Sequence, residues 1–154
     1  MKIIYYRDKY KKQILDLIED ENIREALCAS SMPYVPDTGN NALMLVAVET
    51  ENPEKLLGYI YATYNGKKSE LYISCLAVAP IHQKKGVGEA LVNRLILVAK
   101  QGWAIQTIDT YTVENRPAED LFKKCGFEYM GTYKDHVFTG GRRRSQVCWR
   151  KNVC

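Results

Sequence analysis

The sequence predicts a single α/β domain built on a mixed, mainly antiparallel sheet flanked by helices. Three observations predict it. Runs rich in β-branched, aromatic and apolar residues recur along the chain between turn signals. One amphipathic segment, 86–100, separates two such runs and so makes a βαβ unit. The 154 residues, 46% hydrophobic and 26% charged, are one domain's worth of ordinary globular composition.

Residues 2–6 form a short β run, and Asp8 is placed to cap a helix whose apolar face is Tyr10, Ile14, Leu17 and Ile18. Asn22, with Glu25 three residues on, opens a second short helix through Ala29. Segment 31–41, SMPYVPDTGNN, reads as a long loop. Long ordered loops in compact domains are often functional, which makes Met32, Tyr34 and Val35 candidates for ligand contact, with a plain surface connection as the alternative.

Strands follow at 42–49 and 56–64, joined across Asn52-Pro53, and Asn65-Gly66 turns the chain into a strand starting near Ser69. Three antiparallel strands therefore lead to the stretch 71–79, which Pro80 ends because proline cannot donate to a ladder. After a turn at 81–85 comes the helix 86–100, apolar at 87, 91, 95 and 98, with Ala90 and Leu97 widening the stripe and Gly102 as its left-handed stop. The strand at 105–113 returns by crossover and should run parallel to 71–79.

Segment 114–127 has Pro117 in a first helical turn and residues 118, 121, 122 and 125 on one apolar face. Gly126 is a C′ residue, and Phe127 is placed to pack back on Phe122. The closing strands are 127–133 and 145–151. Between them, 134–144 reads as a loop holding Asp135, His136, Gly140, Gly141 and Arg142-Arg143-Arg144.

The chemistry is expected at Gln83-Lys84-Lys85-Gly86-Val87-Gly88, where a strand end meets a helix start. Unpartnered N–H groups and the positive end of the helix dipole attract anions there, and two glycines allow close approach to the backbone. The spacing is neither GxGxxG nor GxxxxGK[ST], so the nucleotide readings lose ground and a phosphate or pyrophosphate site remains.

At these residues the chain resembles the Gcn5-related N-acetyltransferase (GNAT) superfamily, whose acetyl-CoA signature is a strand followed by Q/R-x-x-G-x-G/A opening a helix. Residues 76–80, LAVAP, look like that family's strand end, and 115–127 is similar to its N-x-x-A-x-x-L-Y-x-K-x-G-F segment. The likeness covers most of the chain, with its specific residues between 76 and 127. It implies a splayed pair of parallel strands and acetyl-CoA as co-substrate, without a metal. Backbone amides near Leu76, Ala77 and Val78 would polarise the thioester carbonyl. The pyrophosphate would lie on the amides of Gln83, Lys84, Lys85, Gly86, Val87, Gly88 and Glu89, and Asn115 would contact the pantetheine amide, or simply cap its helix.

One position departs from the pattern. Phe122 stands where the family carries the tyrosine that protonates the leaving thiolate, and Phe has no proton to give. Either the thiolate leaves unaided or another group substitutes, with Tyr129, Tyr133 and Cys125 nearby in sequence. For a general base, Glu70, Tyr72 and Ser74 share a strand face by period two, and Glu70 is the carboxylate among them. A solvated carboxylate is the plainer account of Glu70, and His136, although its pKa suits the task, is a lone loop histidine.

Net charge of +4 fits an anionic ligand and is too small and dispersed to indicate nucleic acid. No apolar run approaches the roughly 20 residues of a membrane span, and no signal-peptide core is present, so a cytoplasmic protein is expected. Cys28, Cys75, Cys125, Cys148 and Cys154 show no C-x-x-C spacing and read as reduced thiols. Arg142 to Arg144 are a solvated hairpin tip or a lip attracting an acidic acceptor.

The expectation is an acetyl-CoA-dependent N-acetyltransferase acting on a primary amine: a small molecule, a protein N-terminus or a lysine. The alternative is a non-catalytic CoA-binding regulatory module, and a third is an arginine-lipped RNA or acidic-protein binder. A homodimer is left open.

Overall fold

The computed structural model describes residues 1–19, 42–65, 67–102, 104–114, 117–139 and 142–153, the backbone alone being described at 65, 67, 68, 135–139 and 142. Its centre is one mixed seven-stranded sheet flanked by helices, as the sequence predicts. The strands are β1 (Lys2–Tyr5), β2 (Ala42–Val48), β3 (Leu56–Asn65), β4 (Lys67–Val78), β5 (Thr107–Val113), β6 (Glu128–Thr139) and β7 (Arg142–Asn152), in the order β1-β2-β3-β4-β5-β7-β6. Every neighbouring pair is antiparallel except β4 with β5. The helices are α1 (Lys11–Ile18), α2 (Val87–Gly102) and α3 (Pro117–Lys124). The expected helix at 22–29 and the loop at 31–41, with Met32, Tyr34 and Val35, lie outside the described residues.

The sheet carries a core on each face. On one side α2 and α3 bury Leu91, Val92, Leu95 and Phe122 against Leu45, Ile60, Leu71 and Ile108. On the other, α1 buries Tyr10, Ile14, Leu17 and Ile18 against Val46, Tyr59 and Cys75. Helix α1 is pinned to the turn before β3: Tyr10 Oη donates to the Pro53 carbonyl at 2.7 Å, and Gln13 Oε1 accepts from the Leu56 N–H at 2.9 Å.

Four local expectations change. Asp8 does not cap α1. The chain enters through a 3₁₀ turn at Asp8–Tyr10, which leaves Tyr10 in the cap position with no side-chain capping bond. Gly102 is the last residue of α2 and does not have a positive φ; the left-handed residue is Ala104, at φ 53°. The buried face of α2 is widened by Val92, Ile96 and Ala99, whereas Ala90 and Leu97 line an open groove against β1, leaving Leu97 41% exposed. Of the expected loop, 134–139 belong to β6 and 142–144 to β7, and 134–136 bulge where the register slips between Tyr133 and Val137.

Strand β4 contains a break in period. Ala62 pairs with Ile73 and Tyr61 with Cys75, so Ser74 is an extra residue in the ladder, a β-bulge. Leu71 and Ile73 face α2; past Ser74 it is Leu76 and Val78 that touch that core, while Cys75 and Ala77 turn to α1. The period-two alternation therefore restarts past Ser74.

Cys75 sits under α1 with its sulfur 2.9 Å from Tyr59 Oη. Burial pushes its thiol up to about 11, partly offset by the bond to Tyr59, and burial also raises Tyr59. Both groups fold protonated. The stability this supplies is complete below pH 9, the thiol's unfolded value, and is lost as pH climbs through about 11. Thermal melts between pH 8 and 11 should show Tm falling above pH 9, and Cys75→Ala should flatten part of that fall.

Candidate active site

The site is a fork in the sheet. Strands β4 and β5 pair only from Glu70↔Thr107 to Ile73↔Thr110, although β4 continues to Val78 and β5 to Val113. The bulge at Ser74 sits at the parting, where it bends β4 and raises its twist. Thr110 Oγ1 donates to the Ile73 carbonyl at 3.3 Å, closing the last rung with a side chain. Past this rung each strand keeps its outer partner, β4 with β3 and β5 with β7, so the edges that face each other across the fork, that of β4 included, are left open. An open strand edge presents amides and carbonyls that need partners.

Beyond that edge the chain passes through a 3₁₀ turn, Pro80–His82, into the start of α2. The Gln83 side chain donates from Nε2 to the Val78 carbonyl at 3.1 Å, tying the turn to the strand end. Lys84 has φ 61° and Gly86 φ 83°, two left-handed residues within three. A non-glycine residue held left-handed is strained, and strain of this kind gathers at binding sites. The first helical bond runs from Ala90 N–H to the Gly86 carbonyl at 3.0 Å, so the amides of Val87, Gly88 and Glu89 have no acceptor within the helix. These are the donors of an anion cradle.

The two glycines differ in role. A Cβ on Gly86 would meet nothing within 4 Å, so the backbone there faces open space. A Cβ on Gly88 would touch Leu121 of α3 at 3.5 Å, ordinary contact, so this position tolerates alanine. Lys84 and Lys85 are exposed at the rim. Glu89 is engaged through its carboxylate with Lys124 Nζ at 3.0 Å, which joins the start of α2 to the end of α3 and leaves only its amide facing the cradle.

Several predicted residues do not gather here. Glu70 lies in the closed stem of the fork, six residues from Leu76, or roughly 20 Å along the strand at the usual rise. Tyr129 is on β6, an edge strand with β7 between it and β5, because the order of the sheet is not the order of the chain. Its hydroxyl is 2.6 Å from Thr132 Oγ1 and its ring meets the edge of Trp149, on the α3 side of the sheet. Phe122 is 3% exposed and packs edge-on against Phe127 at 5.1 Å, so it is a core residue and touches no open surface. Cys125 is buried in the same core, as its helical face predicts. Asn115 lies outside the described residues.

The end of α3 matches its sequence signature. Phe127 N–H bonds the Phe122 carbonyl, Gly126 N–H bonds Lys123, and Gly126 has φ 89°. Phe122 is thus fixed by its own helix ending. Phe122→Tyr is expected to cost about 1–3 kcal/mol, because its hydroxyl would be buried without a partner. Denaturant unfolding checks the cost, and a thiol-release assay should show no gain in rate.

The sequence reading missed the far face of the fork. Tyr111, the first β5 residue past the last rung, packs against Tyr72 at 5.7 Å and Tyr133 at 6.3 Å between centroids. Burial, followed by the charge and hydrogen bond of Cys148, pushes the Tyr111 hydroxyl up to about 12, so it stays protonated at neutral pH. Asp109, nearly buried beside Tyr111, accepts two bonds from Arg150 at 2.7 and 3.0 Å. The signal available in sequence was alternation along β5, but the partner strands were not.

The chain matches the family model described as Acetyltransferase (GNAT) family over residues 11–127. No curated protein matches it. Among solved structures it is similar to a spermidine N-acetyltransferase from Vibrio cholerae in complex with CoA and spermine: TM-score 0.84, 19% identity, covering 99% of this chain and 95% of that one. It is also similar to Arabidopsis thaliana NAA60 in complex with a bisubstrate analogue: TM-score 0.78, 16% identity, covering 98% of each chain. At such identities the likeness is one of fold.

Proposed function

Because this chain belongs to the GNAT acetyltransferase family, and is an acyltransferase by that membership, we propose that it moves the acetyl group of acetyl-CoA to a primary amine at the fork between β4 and β5. The observation that carries this reading is the open edge of β4 running directly into the anion cradle of α2. The residues fit the co-substrate: free amides and left-handed turns suit a pyrophosphate, and an unpaired strand edge suits an extended chain bearing amides.

Each chemical requirement then has a source in the protein. The backbone N–H groups of Leu76 and Val78, which alternate away from β3, are fixed dipoles that polarise a carbonyl without reorganising. The acetyl thioester supplies the electrophile. The amine nitrogen attacks its carbonyl carbon, the C–S bond breaks, and the thiol leaves. With a thiol pKa of about 8.5, departure needs no dedicated acid, which suits a chain with Phe122 in the core. Tyr111, protonated and beside the parting of the strands, is a neutral donor within the same cleft. Glu70 in the stem is too far along β4 to take the proton directly, so the amine enters deprotonated or loses its proton to water.

A non-catalytic CoA-binding module is kept as a second reading by the buried Phe122. Both readings expect calorimetric binding of acetyl-CoA. The enzyme also releases free thiol when amines are supplied, and acetyl-CoA binding without thiol release across a broad amine panel would favour the module. A cytosolic site of action is proposed on the free thiols Cys75, Cys125 and Cys148.

A further inference from the structure

The face of the sheet opposite α2 and α3 carries, past the fork, a guanidinium whose Nε has no hydrogen-bond partner among the described residues. Strand β7 pairs with β5 without a register shift from Asn152 to Gln146, so Arg150, Cys148, Gln146 and Arg144 alternate onto one face, that of Asp109 and Tyr111. Arg150 and Arg144 on that face differ. Arg150 is held by both oxygens of Asp109. Arg144 is partly buried, and its Nε is enclosed without a hydrogen-bond partner among the described residues. Glu114, just past β5, accepts the Ser145 N–H at 3.0 Å through one carboxylate oxygen. A buried guanidinium N–H without an acceptor is costly, and carboxylates match its geometry best.

We propose that Arg144 receives the anionic end of the acceptor, so that the substrate is a primary amine carrying a carboxylate at the far end of a short spacer. This rests on the acetyl-transfer reading above. The amine belongs at the fork, beside Tyr111, whose neighbour across the ladder is Cys148. Arg144 is four residues further along β7, or about 13 Å of strand, a gap its own side chain shortens. The Tyr72–Tyr111–Tyr133 cluster lies on this face, where an aliphatic spacer can lie against its rings. A second ammonium placed at Arg144 would meet like charge, so the geometry selects against polyamines.

The test compares 6-aminohexanoate, 1-aminohexane and 1,6-diaminohexane as acceptors in thiol-release kinetics with acetyl-CoA, using the full chain and its Arg144→Ala, Arg144→Lys and Arg144→Glu variants. The carboxylate should raise kcat/KM about tenfold or more over 1-aminohexane, chiefly through KM. Arg144→Ala should bring that ratio near one, Arg144→Lys should keep part of it, and Arg144→Glu should shift preference to the diamine. Equal or better use of the diamine by the unmodified protein overturns the proposal, as does a ratio that survives Arg144→Ala. Calorimetric titration of 6-aminohexanoate into the CoA-loaded protein separates the two levels. Arg144-dependent binding without any thiol release would sink acetyl transfer and leave the Arg144 site standing, whereas no Arg144-dependent binding sinks the site itself.

Discussion

Gly86→Glu is expected to abolish acetyl-CoA binding in calorimetry while leaving the fold in place. At φ 83° any side chain here is strained, at a cost of about 1–2 kcal/mol, but space is not the obstacle because a Cβ would meet nothing within 4 Å. The glutamate would extend into that open space, over the free amides of Val87 to Glu89, and compete as an anion for the donors a pyrophosphate needs. Gly86→Ala isolates the strain: it should lower Tm by a few degrees and weaken binding modestly. Gly88→Ala, with ordinary contacts and no positive φ, should do neither. Binding by Gly86→Glu equal to that of Gly86→Ala would remove the cradle from the cofactor site.

Gly58→Ala should damage both fold and site, although Gly58 contributes no side chain to either. It lies opposite Val78 in the β3–β4 ladder, and a Cβ there would come 2.7 Å from the Ala77 carbonyl oxygen and 3.1 Å from Val78 Cα. Both are backbone atoms, which cannot rotate away. β4 must shift at the residues whose amides face the fork, at about 1–3 kcal/mol for such overpacking. For a domain of this size that is roughly 3–10 °C in Tm, and acetyl-CoA affinity should fall with it. Gly102→Ala provides the opposite sign, since it ends α2 in open space and should gain up to about 1 kcal/mol from helix propensity. A Gly58→Ala protein that melts and binds like the unmodified chain would show that β4 has slack at Val78.

The contrast between these glycines marks what sequence could reveal. Gly86 was legible because its role is local: a turn, a helix start and neighbouring lysines stand within a few residues. The Schellman ending at Phe122, Gly126 and Phe127 was legible for the same reason. Gly58 was not, because its constraint comes from Ala77 across a ladder whose register no local pattern specifies. Tyr129 was assigned to the site through nearness in sequence, and the insertion of β7 between β5 and β6 carried it away. The 134–144 segment looked like a loop by composition, yet 134–139 extend β6 and 142–144 open β7, since cross-strand pairing can hold charged residues in strands. Arg144 gained its meaning only with that pairing.

Ser74 makes β4 a strand whose two halves are out of phase. Substituting the serine should matter little, since its contribution is one residue of length. Removing it would have a different kind of consequence: either the stem or the mouth must rotate by half a pleat, which would drive Leu76 and Val78 under α1 or Leu71 and Ile73 away from α2. Variation among related sequences would then be read most usefully here by counting residues between Ile73 and Gln83, because the spacing, more than the letters within it, keeps the cleft facing its ligand.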